Sequence, residues 1–199
     1  MKTKTLKGLA LAMAVWSAAA WSNEIYMEQV GSSSTITITQ DGASNSIGTA
    51  LTPSYIGGGS NTVTIDQIGA SNELQFTVNG ASADLTISVT GNNNVSSVTC
   101  GTAMSASCSG SAITQTIVGD GNTVTQTLGA GANHTSTLTV TGDTNTVTHT
   151  STNTGAVNLS YTVTGDTNTI SLTTAGTTAK TLNASTSGNN NTVTIVQTN

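Results

Sequence analysis

The chain has 199 residues, enough for one ordinary domain or one repeat array. Only 7% are charged, 3% aromatic and 35% hydrophobic, against about 25% charged in an average globular domain, which argues against a conventional packed core. The formal net charge of −5 excludes the basic surface that nucleic-acid binding requires. Disordered chains pair such polarity with Pro, Glu, Lys and high net charge, whereas this one has a single Pro and regularly placed Val and Ile. Ordered β-structure follows.

In chain order, Lys2, Lys4 and Lys7 precede a short apolar run from Leu9 to Ala20, and Ala20-Trp21-Ser22 places small residues before Asn23. This pattern predicts a secretory leader over 1–22. The run is shorter than the roughly 20 residues a bilayer span needs, so no transmembrane anchor is expected in the mature chain. Removal of the leader leaves Lys180 as the one basic residue against nine acidic ones.

From Asn23 the chain alternates with period two, the signature of strands with two unlike faces. Ile25, Met27 and Gln29 share one parity, and Thr35 to Gln40 forms the next strand before Gly42. Residues 48–59, with Pro53 and three consecutive glycines, read as a loop inserted at a turn. The pattern resumes through Asn61, Gln67, Gly69 and Asn72, with Leu74, Phe76 and Val78, then Leu85, Ile87 and Val89 facing inward. Units recur about every 11 residues (Asn61, Asn72, Ala83, Asn94), so two make a coil of 22. The 28 residues from Gly91 to Gly119 are one coil of 23 plus five, and they contain Cys100 and Cys108. In an oxidising compartment these two cysteines are expected to close a disulfide loop over 100–108.

The second half is the more regular. Gly119-Asp-Gly-Asn122, Gly142-Asp-Thr-Asn145, Gly165-Asp-Thr-Asn168 and Gly188-Asn-Asn-Asn191 are spaced by 23 residues, and each is followed by a strand such as Thr-Val-Thr. Val124, Gln126 and Leu128 point one way and Thr123, Thr125 and Thr127 the other. The phrases are the corners, since Gly and Asn tolerate positive φ; Gly42, Gly69, Gly91, Gly119, Gly142, Gly165 and Gly188 are the predicted turn glycines. Outside the leader no sustained helical period occurs.

One coil cannot bury its thin apolar face alone, so coils must stack. The predicted fold is an all-β solenoid of strand–turn–strand–turn coils of about 22–23 residues, a single repeat domain over 23–199. Seven to eight coils at about 4.8 Å each make a rod on the order of 35 Å long. Valine and isoleucine would form inner ladders, and matching Asn and Gln would form amide ladders. Neither end shows a cap, which points to head-to-tail stacking of the protein on itself.

The spacings Asn23-(five residues)-Gln29-Val-Gly31, Ser34-(five residues)-Gln40-Asp-Gly42-Ala-Ser-Asn45 and Asn61-(five residues)-Gln67-Ile-Gly69-Ala-Ser-Asn72 resemble the curlins, the subunits of bacterial curli fibres. The resemblance covers residues 23–72. It implies an inward ladder, here comprising Asn23, Gln29, Ser34, Gln40, Asn61, Gln67 and Asn72, continued by Asn122, Gln126, Asn145, Asn168, Asn191 and Gln197. It further implies passage through the periplasm to an extracellular or cell-surface amyloid fibre, a biofilm-matrix or adhesive role, and curli-type export and nucleation proteins as partners.

No catalytic constellation, cofactor motif or metal set is read from the chain. His134 and His149 lack the partners of a triad or a metal site, and His149 falls on an inward parity, as a replacement in the amide ladder. Asp120, Asp143 and Asp166 offer one carboxylate per turn, too few for a strong calcium site, and read as turn-stabilising residues. Two alternatives to a fibre subunit stand beside it. Outward pairs Thr123/Thr125, Thr146/Thr148 and Thr192/Thr194, with Thr169/Ser171 between them, resemble an ice-binding β-solenoid surface. A monomeric surface adhesin would need an end cap.

Overall fold

The computed structural model describes residues 11–13, 23–28, 31, 33–49, 54, 55, 57, 58, 60–77, 82–100, 112–128, 134–153 and 155–199. Alternating threonine and aliphatic residues favour extended backbone with one apolar face. The first strands are β1 (Leu11–Met13), β2 (Glu24–Ile25), β3 (Met27–Glu28), β4 (Thr35–Ile38), β5 (Ser46–Ile47) and β6 (Ser54–Tyr55). Next come β7 (Thr62–Thr64), β8 (Glu73–Thr77), β9 (Asp84–Thr86), β10 (Val95–Cys100), β11 (Ala112–Thr114) and β12 (Thr123–Leu128). The last are β13 (His134–Thr139), β14 (Thr146–Ser151), β15 (Val157–Thr164), β16 (Thr169–Thr174), β17 (Lys180–Ser187) and β18 (Thr192–Gln197). Among the described residues there is no helix.

Successive rungs alternate between two sheets. Among the described residues the first has eight strands in the order β1-β4-β7-β9-β11-β13-β15-β17. The second has ten among the described residues, running β2-β5-β8-β10-β12-β14-β16-β18 with β3 and β6 beside its head. Every pairing among the described residues is parallel. The molecule is therefore a β-solenoid. Its coil length follows from the asparagines that stack at one corner. The step is 22 residues from Asn23 to Asn45, 27 to Asn72, 22 to Asn94 and 28 to Asn122. Thereafter it is 23 residues to Asn145, Asn168 and Asn191.

The two long steps locate the extra residues. Ile47 pairs with Leu74 but Tyr55 pairs with Thr77, so five residues enter between β5 and β6. The insertion expected at a turn thus interrupts a rung: β6 resumes the sheet within the stretch read as loop, pairing Ser54 with Met27. Cys100 pairs with Leu128 while Ala112 pairs with Thr135, which puts the other five residues between Cys100 and Ala112. Cys108 falls in that interval and outside the described residues, and with it the expected disulfide.

Side-chain parity divides inside from outside. Ile36, Val63, Leu85 and Ile113 stack rung upon rung in the first sheet, and Val124, Val147 and Ile170 do so in the second, all buried. Threonines line both outer faces, as Thr37-Thr64-Thr86-Thr114-Thr137 in the first sheet and Thr123-Thr146-Thr169-Thr192 in the second. Their presence on both faces fits a β-branched residue that suits a solvated strand.

The corners are tighter than the sequence implies. Gly142 and Gly165 have φ of 96° and 102°, and Thr144 and Thr167, two residues later, have 57° and 59°. A left-handed threonine is uncommon. It is held here by bonds between coils, from Thr144 N–H to the Asp120 carbonyl at 2.8 Å and from Thr167 N–H to the Asp143 carbonyl at 2.9 Å. Glycine is required twice over, because a Cβ on Gly142 would run into the Gly165 carbonyl, and one on Gly165 into that of Gly188. Gly188 is the exception in this column: its nearest neighbour is Asn191 Nδ2 at 3.4 Å.

Candidate functional site

The chemistry of a solenoid of this composition lies in how one coil binds the next, and two ladders with opposite polarity run along one corner. In the inner ladder the Oδ1 of each asparagine accepts both the backbone N–H and the Nδ2–H of the asparagine one coil later. The Nδ2 distances are 3.1 Å from Asn72 to Asn45, 3.1 Å from Asn94 to Asn72 and 3.1 Å from Asn122 to Asn94. They are 3.0 Å from Asn145 to Asn122, 3.0 Å from Asn168 to Asn145 and 2.9 Å from Asn191 to Asn168. Asn23 begins the series by accepting from Asn45 N–H at 2.9 Å. Asn45 and Asn94 are members that the sequence reading left out, although both end a Gly-x-x-Asn phrase.

The outer ladder runs the other way. Asn92 Oδ1 accepts from Ala70 N–H at 2.8 Å, Asp120 from Asn92 at 2.7 Å, Asp143 from Asp120 at 2.7 Å, Asp166 from Asp143 at 2.9 Å and Asn189 from Asp166 at 2.8 Å. These carboxylates therefore tie coils together, beyond the expected role within their own turns. Among the described residues no three His, Cys, Asp or Glu side chains gather as a metal site would require.

The glutamines are less continuous. Gln67 Nε2 donates to Gln40 Oε1 at 2.8 Å, and both are buried. Gln29 lies outside the described residues. Gln126 stands in register between Val98 and His149, with no amide neighbour, and instead accepts from Ser136 Oγ across the core at 3.3 Å. Gln115, absent from the sequence expectation, does the same with Ser96 at 2.5 Å. Asn61 turns to its own corner, donating to the carbonyls of Gly57 at 2.8 Å and Gly58 at 3.1 Å, while Ser34 is buried at the start of the rung before it. Gln197 faces Thr174, and its Oε1 is buried without a partner.

The second feature is the pair of ends. At the tail Leu182, Ala184, Val193 and Ile195 point inward but are only partly buried, and Val196 is 63% exposed. At the head Ile25 and Met27 are likewise partly buried. There β1, which falls within the predicted leader, lies along β4 with Leu11 opposite Ile36. No protein-family model, curated protein or solved structure matches the chain.

Proposed function

We propose that the protein is a secreted structural subunit that stacks head to tail into a curli-like cross-β fibre, serving extracellular matrix and adhesion. The observation that carries this reading is the half-covered state of Leu182, Ala184, Val193 and Ile195, whose counterparts within the rod are buried. A further rung contributes on the order of 1 kcal/mol for each such side chain it covers, before any backbone bonds are counted. Among the described residues the inner ladder ends on Asn191, whose N–H and Nδ2 donate back to Asn168 Oδ1 while its own Oδ1 meets no later asparagine. The resemblance to curlins over residues 23–72 supports assembly outside the cell and curli-type export and nucleation partners.

The test is electron microscopy and fibre diffraction on protein recovered from the medium. Fibres with a meridional spacing of about 4.8 Å are expected. A protein that stays monomeric at high concentration, with or without thermal hysteresis, would rule the fibre reading out.

A further inference from the structure

Without β1, the rungs do not divide evenly between the sheets. Among the described residues the second sheet carries eight along its path from β2 to β18, and the first carries seven, from β4 to β17. The described path from β2 to β18 thus begins and ends on a rung of the same sheet. Consider a second copy stacked in phase, with second sheet upon second sheet. Its β2 meets β18, but its β4 faces β17 across an empty rung, a separation of about 9.6 Å at twice the strand spacing. Every outward peptide group along β17 and β4 would then lack a partner. The empty position is the one β1 fills in the chain that keeps residues 11–13.

A half-turn of the incoming copy about the rod axis removes the gap. Its β2 then lies on β17 and its β4 on β18, and the coil runs on unbroken. We propose that successive subunits of the fibre are related by this half-turn, so that the first sheet of one copy continues as the second sheet of the next. The proposal rests on the fibre reading above and adds the geometry of the joint.

The residues that would meet are well matched. Aligning Asn191 with Ser34 sets Thr192 opposite Thr35, Val193 opposite Ile36, Thr194 opposite Thr37, Ile195 opposite Ile38 and Gln197 opposite Gln40. Apolar residues meet apolar ones inside, threonine meets threonine outside, and amide meets amide. Gln67 already donates to Gln40 Oε1, and Gln40 Nε2 would donate in the same sense to the unpartnered Gln197 Oε1. At the corner Gly188, open above, would meet Gly31, whose φ of 128° already suits a corner; in phase it would meet the position of Ala20, inside the leader.

The core shows independently that the sheets can exchange roles. Gln115 of the first sheet accepts from Ser96 of the second, and Gln126 of the second accepts from Ser136 of the first. It is one device, used twice with the sheets exchanged.

Paired cysteines test the joint in protein expressed from the full chain, recovered outside the cell and sequenced at its N-terminus. Adjacent rungs bring outward Cα atoms to about 4.8 Å, within disulfide range. The variant T37C/T194C is expected to give a ladder of covalent multimers on a non-reducing gel, and Y26C/T194C, which reports in-phase stacking, to stay at monomer size. T37C and T194C alone are the controls. Multimers from Y26C/T194C instead, from neither pair, or an N-terminus that retains Leu11 would overturn the half-turn while leaving the fibre intact. Absence of fibres from the unmodified protein would sink the fibre reading itself.

Discussion

At the residue scale, a ladder asparagine does three things at once, and its position decides how much its loss costs. Asn145 donates Nδ2–H to Asn122 and to the Gly165 carbonyl, and its Oδ1 accepts two bonds from Asn168. Asn145→Ala strands buried groups on both sides and is expected to cost about 3 kcal/mol. Asn191→Ala, with no later coil depending on it, is expected to cost about 1 kcal/mol. Urea unfolding of the two variants checks the contrast, and equal losses would mean the ladder does not act coil upon coil. Tyr161 gives a pH-dependent counterpart. Burial raises its phenol above the ordinary 10.0, against the smaller opposing effect of its bond to Thr186 at 2.7 Å. A raised value in the folded chain means the neutral phenol is favoured there. Its contribution is therefore complete below pH 10 and is lost as pH rises through the higher folded value. Tyr161→Phe should lower stability by about 1 kcal/mol at pH 8 and flatten the decline between pH 9 and 12, read by urea unfolding across that range.

At the element scale, the inserted residues separate what the repeat needs from what it tolerates. Ile47 and Tyr55 keep their partners Leu74 and Thr77 although the register differs by five residues between them. Deleting residues 49–53 should therefore join β5 to β6 in a coil of 22 and leave stability within about 1 kcal/mol, because a closed loop of this size carries little entropy. Loss of the cooperative unfolding transition would show instead that the bulge holds the rung. The contrast also shows what the sequence makes legible. A 23-residue interval is visible because Gly-x-x-Asn is a local signal, and local signals place the corners and the parity of every strand. The partner of a side chain is set 22 to 28 residues away, by what the next rung happens to carry. Gln126 has the right parity for an amide ladder, yet Val98 and His149 flank it, so its bond crosses the core to Ser136. Asp143 looks like a turn residue and is one, but its carboxylate reaches the coil before. The glycine column was legible as turns. Its second cause, the approach of the next coil's carbonyl, belongs to stacking and has no trace in a single phrase.

At the scale of the whole molecule, growth at the tail depends on which backbone groups of β18 face outward. Thr169 N–H donates to the Asn191 carbonyl at 2.8 Å, and Ala175 N–H to that of Gln197 at 2.9 Å. In a parallel ladder alternate residues turn both their peptide groups to opposite neighbours. Asn191, Val193, Ile195 and Gln197 thus bond back to β16, and Thr192, Thr194 and Val196 present their groups to whatever arrives next. Proline at Thr194 removes one outward N–H and sets a ring against the incoming edge, yet breaks no bond within the molecule. Thr194→Pro should unfold within about 1 kcal/mol of the parent, whereas Thr148→Pro, the same position two coils inside, should lose about 3 kcal/mol or more. The head of the Thr194→Pro protein is untouched, so it can still join the tail of a growing fibre and then bar the next addition. A small fraction mixed into the parent protein is expected to shorten fibres in proportion to its share, measured as length distributions by electron microscopy. Fibres of unchanged length would mean that growth does not pass through the outer edge of β18.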